Sequence, residues 1–379
     1  MDLSFDKEHL LLEQMLDYFT LNEVKPLASE IDELERFPEE TVKKMAEVGL
    51  MGIPFPNQYG GVDGDYIGYI LAVEKLSQAC ATTGVILSAH TSLCAGPIYE
   101  YGTEDQKQRY LKPLASGEKL GAFALTEPNA GTDASKQETI AVKDGNNYII
   151  NGSKIFITNA EYADVFIVMA MTDRTLGTRG ISAFILEKGM KGFTVGKKEK
   201  KMGIRGSSTC ELIFEDVVVP EMNMLGKPGY GFKIAMSTLD SGRIGIAAQA
   251  CGIAKGALNE TLTYVKERKQ FNKTISQFQN TQFVLADLAT KIDAARLLTY
   301  RAAYNKQHKM SFSKEAAMAK LYASEVAVEM ANKAIQLHGG YGYSREYPVE
   351  RMMRDAKITE IYEGTSEVQK MVIASYLLK

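Results

Sequence analysis

The 379-residue sequence has no tryptophan, only four cysteines, four histidines and ten prolines, and each scarcity removes a class of protein. Cys80, Cys94, Cys210 and Cys251 are far apart and make no C-x-x-C pair, which fits reduced, buried thiols rather than a disulfide framework. His9, His90, His308 and His338 are equally scattered, so no metal site is expected. No apolar run approaches the roughly 20 residues that span a bilayer. The longest, "ADVFIVMAM", is strand-sized, and no membrane insertion is expected. The N-terminus, "MDLSFDKEHLLLEQML", lacks the basic, apolar and small-residue order of a signal peptide, so a cytoplasmic location is expected. The sequons at Asn151 and Asn272 are accordingly read as unmodified.

Charge excludes more. The net charge is -3 and the pI near 6.0, with Lys and Arg interleaved among acids, so no nucleic-acid partner is indicated. The one basic run, "GKKEKKMG", reads as a solvated turn. There is no G-x-G-x-x-G after a strand, no G-x-x-x-x-G-K-[ST] and no G-x-S-x-G, which leaves a Rossmann fold, a P-loop and a serine-hydrolase elbow unsupported.

What is present divides into three regions. A single core stops growing at about 250 to 300 residues, so two or three domains are expected. Residues 1–120 carry the three-to-four spacing of amphipathic helices, as in Leu11, Met15, Leu16, Phe19 and Val42, Met45, Ala46, Leu50, interrupted by "GIPFPNQYGG". Residues 121–227 hold short runs rich in branched and aromatic residues: "NYIINGSKIFIT", "ADVFIVMAM", "GISAFILEK" and "CELIFEDVVV". Asp144 to Asn146 and Asn151-Gly152 read as hairpin turns, and strands joined that way predict an antiparallel sandwich or barrel. Residues 228–379 are free of proline from Pro228 to Pro348 and rich in helix formers, predicting three long helices that join "SEVQKMVIASYLLK" in a four-helix bundle. The fold class is therefore multi-domain α+β.

Three loops invite chemistry. "GAFALTEPNAGTDAS" sets the hydroxyls of Thr126, Thr132 and Ser135 among small residues where helices give way to strands; it could edge a flat polar ligand or simply turn the chain. "QLHGGYGYSREYPVERMMRDAKI" combines Gly339, Gly340 and Gly342 with tyrosines and basic residues; helix capping and a local Arg354-Asp355 pair explain it as well as a nucleotide does. In "KITEIYEGTSEVQKMV", Glu363 stands between Tyr362 and Gly364. It is either an acid ahead of a helix whose capping box is Ser366 to Gln369, or a base whose pKa rises in a dry pocket walled by Tyr362, with Gly364 leaving room for a substrate.

Taken together, "GIPFPNQYGG", "FALTEPNAGTDAS", "NGSKIFITN", "ERKQFNK" and "QLHGGYGYSREYPVERMMRDAKITEIYEGTSE" resemble the acyl-CoA dehydrogenase family, in order and across essentially the whole chain, and are similar to its bacterial short-chain, butyryl-CoA type. The resemblance implies an N-terminal helical domain, a middle β-barrel and a C-terminal four-helix bundle. It implies FAD as cofactor and oxidation of a short acyl-CoA to the trans-2-enoyl-CoA, or the reverse. Glu363 would remove the α proton and FAD N5 accept the β-hydride, with the Glu363 N–H and a ribityl hydroxyl stabilising the thioester oxygen. Flavin contacts would come from Phe123, Leu125, Thr126, Gly131, Thr132, Phe156, Ile157, Thr158, Thr365 and Glu367. The FAD diphosphate and adenosine would be met by Arg268 and Gln279, with Phe271 a further cofactor contact, while Gln336, Leu337, Gly339 and Gly340 would reach the FAD of a neighbouring subunit. Thr132, Asp240, Arg243 and Gly364 would face the acyl-CoA. A homotetramer and an electron-transferring flavoprotein are the implied partners. Two positions depart from many relatives: Phe156 replaces a Trp, removing any role for an indole in electron exit, and Thr132 replaces a Ser, keeping the hydroxyl. The same residues leave open an acyl-CoA oxidase, a nitroalkane oxidase-like flavoenzyme, or a non-catalytic acyl-CoA-binding subunit.

Overall fold

The structure, a computed structural model, describes residues 5–378. The first third is helical: α1 (Lys7–Phe19), α2 (Ala28–Glu33), α3 (Glu39–Glu47), α4 (Tyr66–Ala79), α5 (Ala81–Ser88), α6 (Gly96–Tyr101), α7 (Glu104–Gln106) and α8 (Lys112–Ala115), with a wide π-type turn at Ala89–Ala95. Asp6 caps α1 and Asp65 caps α4, each accepting from the backbone N–H three residues on. Leu16 and Phe19 turn the inner face of α1 into the core, whereas Leu11 stays exposed.

The middle third is one eight-stranded sheet: β1 (Gly121–Ala124), β2 (Ile140–Asp144), β3 (Asn147–Thr158), β4 (Val165–Met171), β5 (Ile181–Glu187), β6 (Phe193–Lys198), β7 (Thr209–Pro220) and β8 (Met224–Leu225). Its order is β6-β7-β3-β2-β4-β5-β8, with β1 also on β4. β4 explains its own sequence. Val165, Ile167 and Met169 point into a core shared with α9, while Phe166, Val168 and Ala170 point into a second core with β3 and β7, so a strand buried on both faces reads as an unbroken apolar run.

The sheet is mixed rather than antiparallel throughout. β1 runs parallel to β4, with Gly121 opposite Val165, and β2 meets β4 in parallel at Ile140 and Met171. The long excursion from β1 through the β2–β3 hairpin returns the chain to the starting end of β1, which a tight turn cannot do. The hairpin itself turns at Gly145-Asn146, as expected, with Gly145 at φ +56°. Asn151-Gly152 is not a turn. It is a bulge inside β3, where the Asn151 amide and Asp216 exchange hydrogen bonds of 2.8 and 3.0 Å and Gly152, at φ +141°, lets Thr139 approach its backbone.

Past β8 come α9 (Gly231–Glu267), α10 (Gln279–Gln307), α11 (Ser313–His338), α12 (Val349–Ile358) and α13 (Ser366–Leu377), with a two-stranded hairpin of β9 (Lys269–Gln270) and β10 (Lys273–Thr274) between α9 and α10. Helices α9, α11 and the N-terminal α4 share one apolar core, so the first and last thirds, far apart in sequence, bury each other. All four cysteines are buried free thiols. Among the described residues no helix is long and apolar enough to cross a membrane. The basic run is only partly solvated, because Lys198 donates to the Glu35 carbonyl at 2.6 Å and Lys201 to that of Ser207 at 2.7 Å.

Candidate active site

Glu363 lies in the turn between α12 and α13, and its backbone is left-handed, at φ +54°. Such a conformation is uncommon for a residue with a Cβ and persists only where the surroundings fix it. They do. The Glu363 carbonyl accepts from Gln369 Nε2 at 3.3 Å and Arg243 Nε at 3.5 Å; the Gly364 carbonyl accepts from Gln369 Nε2 at 2.7 Å and Lys320 Nζ at 2.8 Å. The Tyr362 hydroxyl donates to the Gln249 side-chain oxygen.

The carboxylate itself is left unsatisfied. Its Oε2 is buried and has no hydrogen-bond partner. Burial pushes the Glu363 pKa up to about 8, against the opposing pull of Lys320 and Arg243. The space for Oε2 comes from Gly242 on α9: a Cβ there would stand 1.9 Å from Oε2 and 2.7 Å from Leu93 Cδ2. Gly364, expected to leave room for a substrate, also packs closely on its own helix, since a Cβ on it would meet Gln369 Nε2 at 2.9 Å. The expected capping box from Ser366 to Gln369 does not form, because Ser366 is already the first helical residue and Val368, three residues after the true N-cap, cannot return a bond. Thr365 caps α13 through Val368 N–H at 3.4 Å, and Ser366 Oγ is buried without a partner. Thr365 also donates to Glu367, which is exposed on the first turn.

Asp240 and Arg243 pair at 2.6 Å, and Ser313 donates to Asp240 at 2.5 Å, so the guanidinium is aimed at the Glu363 turn from α9. Arg354 and Asp355, adjacent in sequence, bond elsewhere: Arg354 to Asp32 and Glu350, Asp355 to the Ile204 N–H.

A second cluster surrounds the end of β3. Phe156 is left-handed, at φ +58°, and 59% exposed, an uncovered aromatic face. Thr126 lies beside it, its carbonyl accepting from Ile155 N–H at 2.9 Å. Lys154, wholly buried, ties the two segments together by donating to the Leu125 carbonyl at 3.1 Å, Glu127 at 2.7 Å and Gln137 at 3.0 Å. Phe123 and Thr158 are half-buried and Leu125 and Ile157 buried; Gly131 and Thr132 are exposed in the loop that follows.

The third cluster is a groove of about 650 Å³ lined by Arg268, Gln336, Leu337, His338, Gly339 and Gly340, among others. Gly339, at φ +61°, ends α11, so the capping role and the groove coincide. A Cβ on Gly339 or Gly340 would meet nothing within 4 Å, so the open groove faces bare backbone, and Arg268 stands over the Tyr341 ring at 5.5 Å. An extended anionic ligand fits these donors and this bare backbone. Phe271, 87% exposed, and Gln279 lie outside the groove lining, on the β9–β10 hairpin and the start of α10. The groove and Glu363 are far apart in one chain. Arg243 reaches Glu363 from the first half of α9 and Arg268 follows its last residue, 25 residues on, about 37 Å at 1.5 Å per residue.

Comparisons with known proteins cover the same three parts of the chain. Residues 6–118, 122–217 and 229–378 match the N-terminal, middle and C-terminal domains of acyl-CoA dehydrogenase. A short-chain specific acyl-CoA dehydrogenase of Clostridium acetobutylicum is 62% identical over 379 residues, covering 100% of both chains. The chain belongs to the acyl-CoA dehydrogenase family. The butyryl-CoA dehydrogenase structure from Megasphaera elsdenii superposes on this acyl-CoA dehydrogenase fold with a TM-score of 0.98 at 52% identity over 100% of both chains. A chain in a structure of the electron transferring flavoprotein of Acidaminococcus fermentans, solved toward a mechanism of flavin-based electron bifurcation, superposes at 0.99 with 55% identity, again over 100% of both. Family membership places the chain among flavin-dependent oxidoreductases.

Sequence reasoning missed several residues of this candidate site. Gly242 was visible as a glycine inside a long helix, in "LDSGR", which calls for a packing reason. Lys320 was visible as a lysine on the buried stripe of α11 that includes Ala316, Ala323 and Ala327. Gln249, Gln369 and the Lys154–Glu127 pair carry no sequence signal of their own.

Proposed function

We propose that the protein is an FAD-dependent short-chain acyl-CoA dehydrogenase in which Glu363 exchanges the α proton of a thioester such as butyryl-CoA. The observation that carries this reading is the buried, unpartnered Oε2 of Glu363 against the Gly242 gap, held by a turn whose carbonyls are pinned from three helices. A carboxylate with a pKa of about 8 is basic enough to take a proton near neutral pH, and a fixed turn sets it over one carbon. The Glu363 N–H stabilises the thioester oxygen as charge develops there. Asp240 holds Arg243, and Thr132 stands exposed beyond β1, where both can meet the CoA side of the substrate. FAD, when bound, supplies the hydride acceptor. Phe123, Leu125, Thr126, Phe156, Ile157 and Thr158 would border its ring, and Arg268 with the Gln336–Gly340 backbone its diphosphate and adenosine.

The separation of the groove from Glu363 favours a cofactor shared between subunits, hence at least a dimer and, by family, a homotetramer. The M. elsdenii relative favours butyryl-CoA, and the A. fermentans structure favours an electron-transferring flavoprotein as the redox partner. Adding butyryl-CoA anaerobically to the yellow holoprotein should bleach the flavin band. Glu363→Gln should retain FAD and lose bleaching; an unchanged spectrum of the parent with every acyl chain length would sink the activity, and bleaching by Glu363→Gln would move the base elsewhere. Hydrogen peroxide formed with substrate in air would indicate an oxidase instead.

A further inference from the structure

Among the described residues, Lys320 is one of two lysines with no exposed surface at all. Burying an ammonium costs several kcal/mol unless it is well paired, and lysine is among the residues least often fully buried. Lys154, the other one, has Glu127 at 2.7 Å, but the bond recorded for Lys320 is a single 2.8 Å contact to a neutral acceptor, the Gly364 carbonyl. Packing alone would be served better by a leucine. The bond falls on the residue that follows Glu363, in a turn where both positions have positive φ, +54° and +94°. The Gly364 carbonyl takes a second donor from Gln369 on α13, and the Glu363 carbonyl takes Gln369 and Arg243. Donors on α9, α11 and α13 thus fix the two peptide planes that follow the Glu363 Cα.

We propose that Lys320 is a positioning residue for Glu363: its ammonium anchors the Gly364 carbonyl and holds the left-handed turn that aims the carboxylate, while its charge favours the carboxylate form. The proposal rests on Glu363 being the base. The charged and titratable groups around that carboxylate are Lys320 from α11, Arg243 with Asp240 from α9, Tyr66 and Tyr69 from α4 and Tyr362 beside it, while Glu360, before α13, and Glu367, on its first turn, act on Lys320. Lys320 and Arg243 are the cations among them, and Arg243 is already paired with Asp240 at 2.6 Å. Burial presses on Lys320 too, lowering its pKa to about 8, with Glu363 the chief group opposing that shift. Each charge therefore supports the other.

The test uses FAD-loaded Lys320→Met and Lys320→Gln, reduced anaerobically with saturating butyryl-CoA from neutral to alkaline pH. Lys320→Met should slow reduction about tenfold at neutral pH and move the midpoint of its pH profile upward by about one pH unit, with little change in KM. Lys320→Gln keeps an N–H donor, one bond shorter, for the Gly364 carbonyl but carries no charge. It should recover the limiting rate at alkaline pH and keep the upward midpoint. A purely structural lysine would lower the melting temperature and leave rate and midpoint alone, and that result would overturn the proposal. If Lys320→Met does not retain FAD, Lys320→Gln decides: a parental midpoint is the overturning outcome. Glu363→Gln separates the two ideas. Should it still reduce flavin, the base reading fails; should it be inert while both Lys320 variants behave like the parent, only the positioning role fails.

Discussion

At the scale of single residues, the site depends on a missing side chain as much as on a carboxylate. Because a Cβ on Gly242 would lie 1.9 Å from Glu363 Oε2, Gly242→Ala must push the carboxylate aside while leaving α9 intact. A misplacement of about 1 Å at a reacting group costs roughly 100-fold, so Gly242→Ala should bind FAD normally and show about that loss in the rate of flavin reduction. A parental rate would mean the carboxylate has room elsewhere. Burying Glu363 also has a cost in stability, with a definite sign. Its folded pKa, about 8, is above the ordinary 4.5, so the native protein keeps a proton that the unfolded chain releases. Stability therefore falls as pH rises from about 4.5 to about 8 and levels off above. Glu363→Gln has no charge to bury, so at pH values above that window it should be more stable than the parent by on the order of a few kcal/mol, the gap closing toward acid pH. Thermal melts of both proteins at an acid and an alkaline pH would reveal it; equal differences at both would contradict the assignment of a buried, raised carboxyl.

At the scale of elements, the end of β3 and the loop after β1 are held together by one buried pair. Glu127 accepts from Lys154 at 2.7 Å and from the Glu138 and Thr139 N–H groups at 2.5 and 3.1 Å, which keep it ionised despite its burial. Removing one member of such a pair strands the other, at about 3–5 kcal/mol. Lys154→Met should therefore lower stability by about that much and loosen FAD, because Leu125 and Thr126 lose their anchor to the Phe156 turn, whereas Lys154→Met with Glu127→Leu should regain much of the stability but not the FAD affinity. Denaturant titration and flavin release would separate the two effects. None of this could be read from "ALTEP" and "GSKIF". The strands themselves were legible, because β4 is apolar without interruption, β5 is mostly so, and β2–β3 carries its Gly145 turn. The helices were legible from composition and period. The Asn151-Gly152 bulge was not, since a glycine with positive φ serves a turn and a bulge equally well, and the partner that decides between them, Asp216, lies 65 residues on. The parallel pairing of β1 with β4 was likewise hidden, as it depends on where a long connection returns. Glu363 was singled out chiefly by the company of the other motifs in the chain, for its own turn reads equally as an ordinary helix start.

At the scale of the whole molecule, all three parts of the chain meet in one ionic junction: Arg354 clasps Asp32 at 2.6 and 3.0 Å and Glu350 at 2.8 Å, and Arg205 pairs with Glu35. The junction holds the parts in place, yet it does not bring the Arg268 groove to Glu363, because α9 and α11 run side by side and carry Arg243 and Lys320 in their first halves and Arg268 and Gln336 at their far ends. A span of about 37 Å along α9 is beyond an extended dinucleotide. If one FAD touches both a Glu363 site and an Arg268 groove, the two must come from different chains. Complementation tests this directly. Arg268→Ala alone should weaken FAD binding by at least tenfold, as loss of a charged hydrogen-bond donor costs about 1.5–3 kcal/mol, and Glu363→Gln alone should be inactive. In a mixed assembly of the two variants, one site receives both defects and another receives neither. Co-expressed, differently tagged Arg268→Ala and Glu363→Gln chains, purified as hybrids, should therefore recover flavin reduction by butyryl-CoA well above the sum of the separate variants. Hybrids no more active than that sum would take base and groove of one site from the same chain and return the cofactor to a single chain.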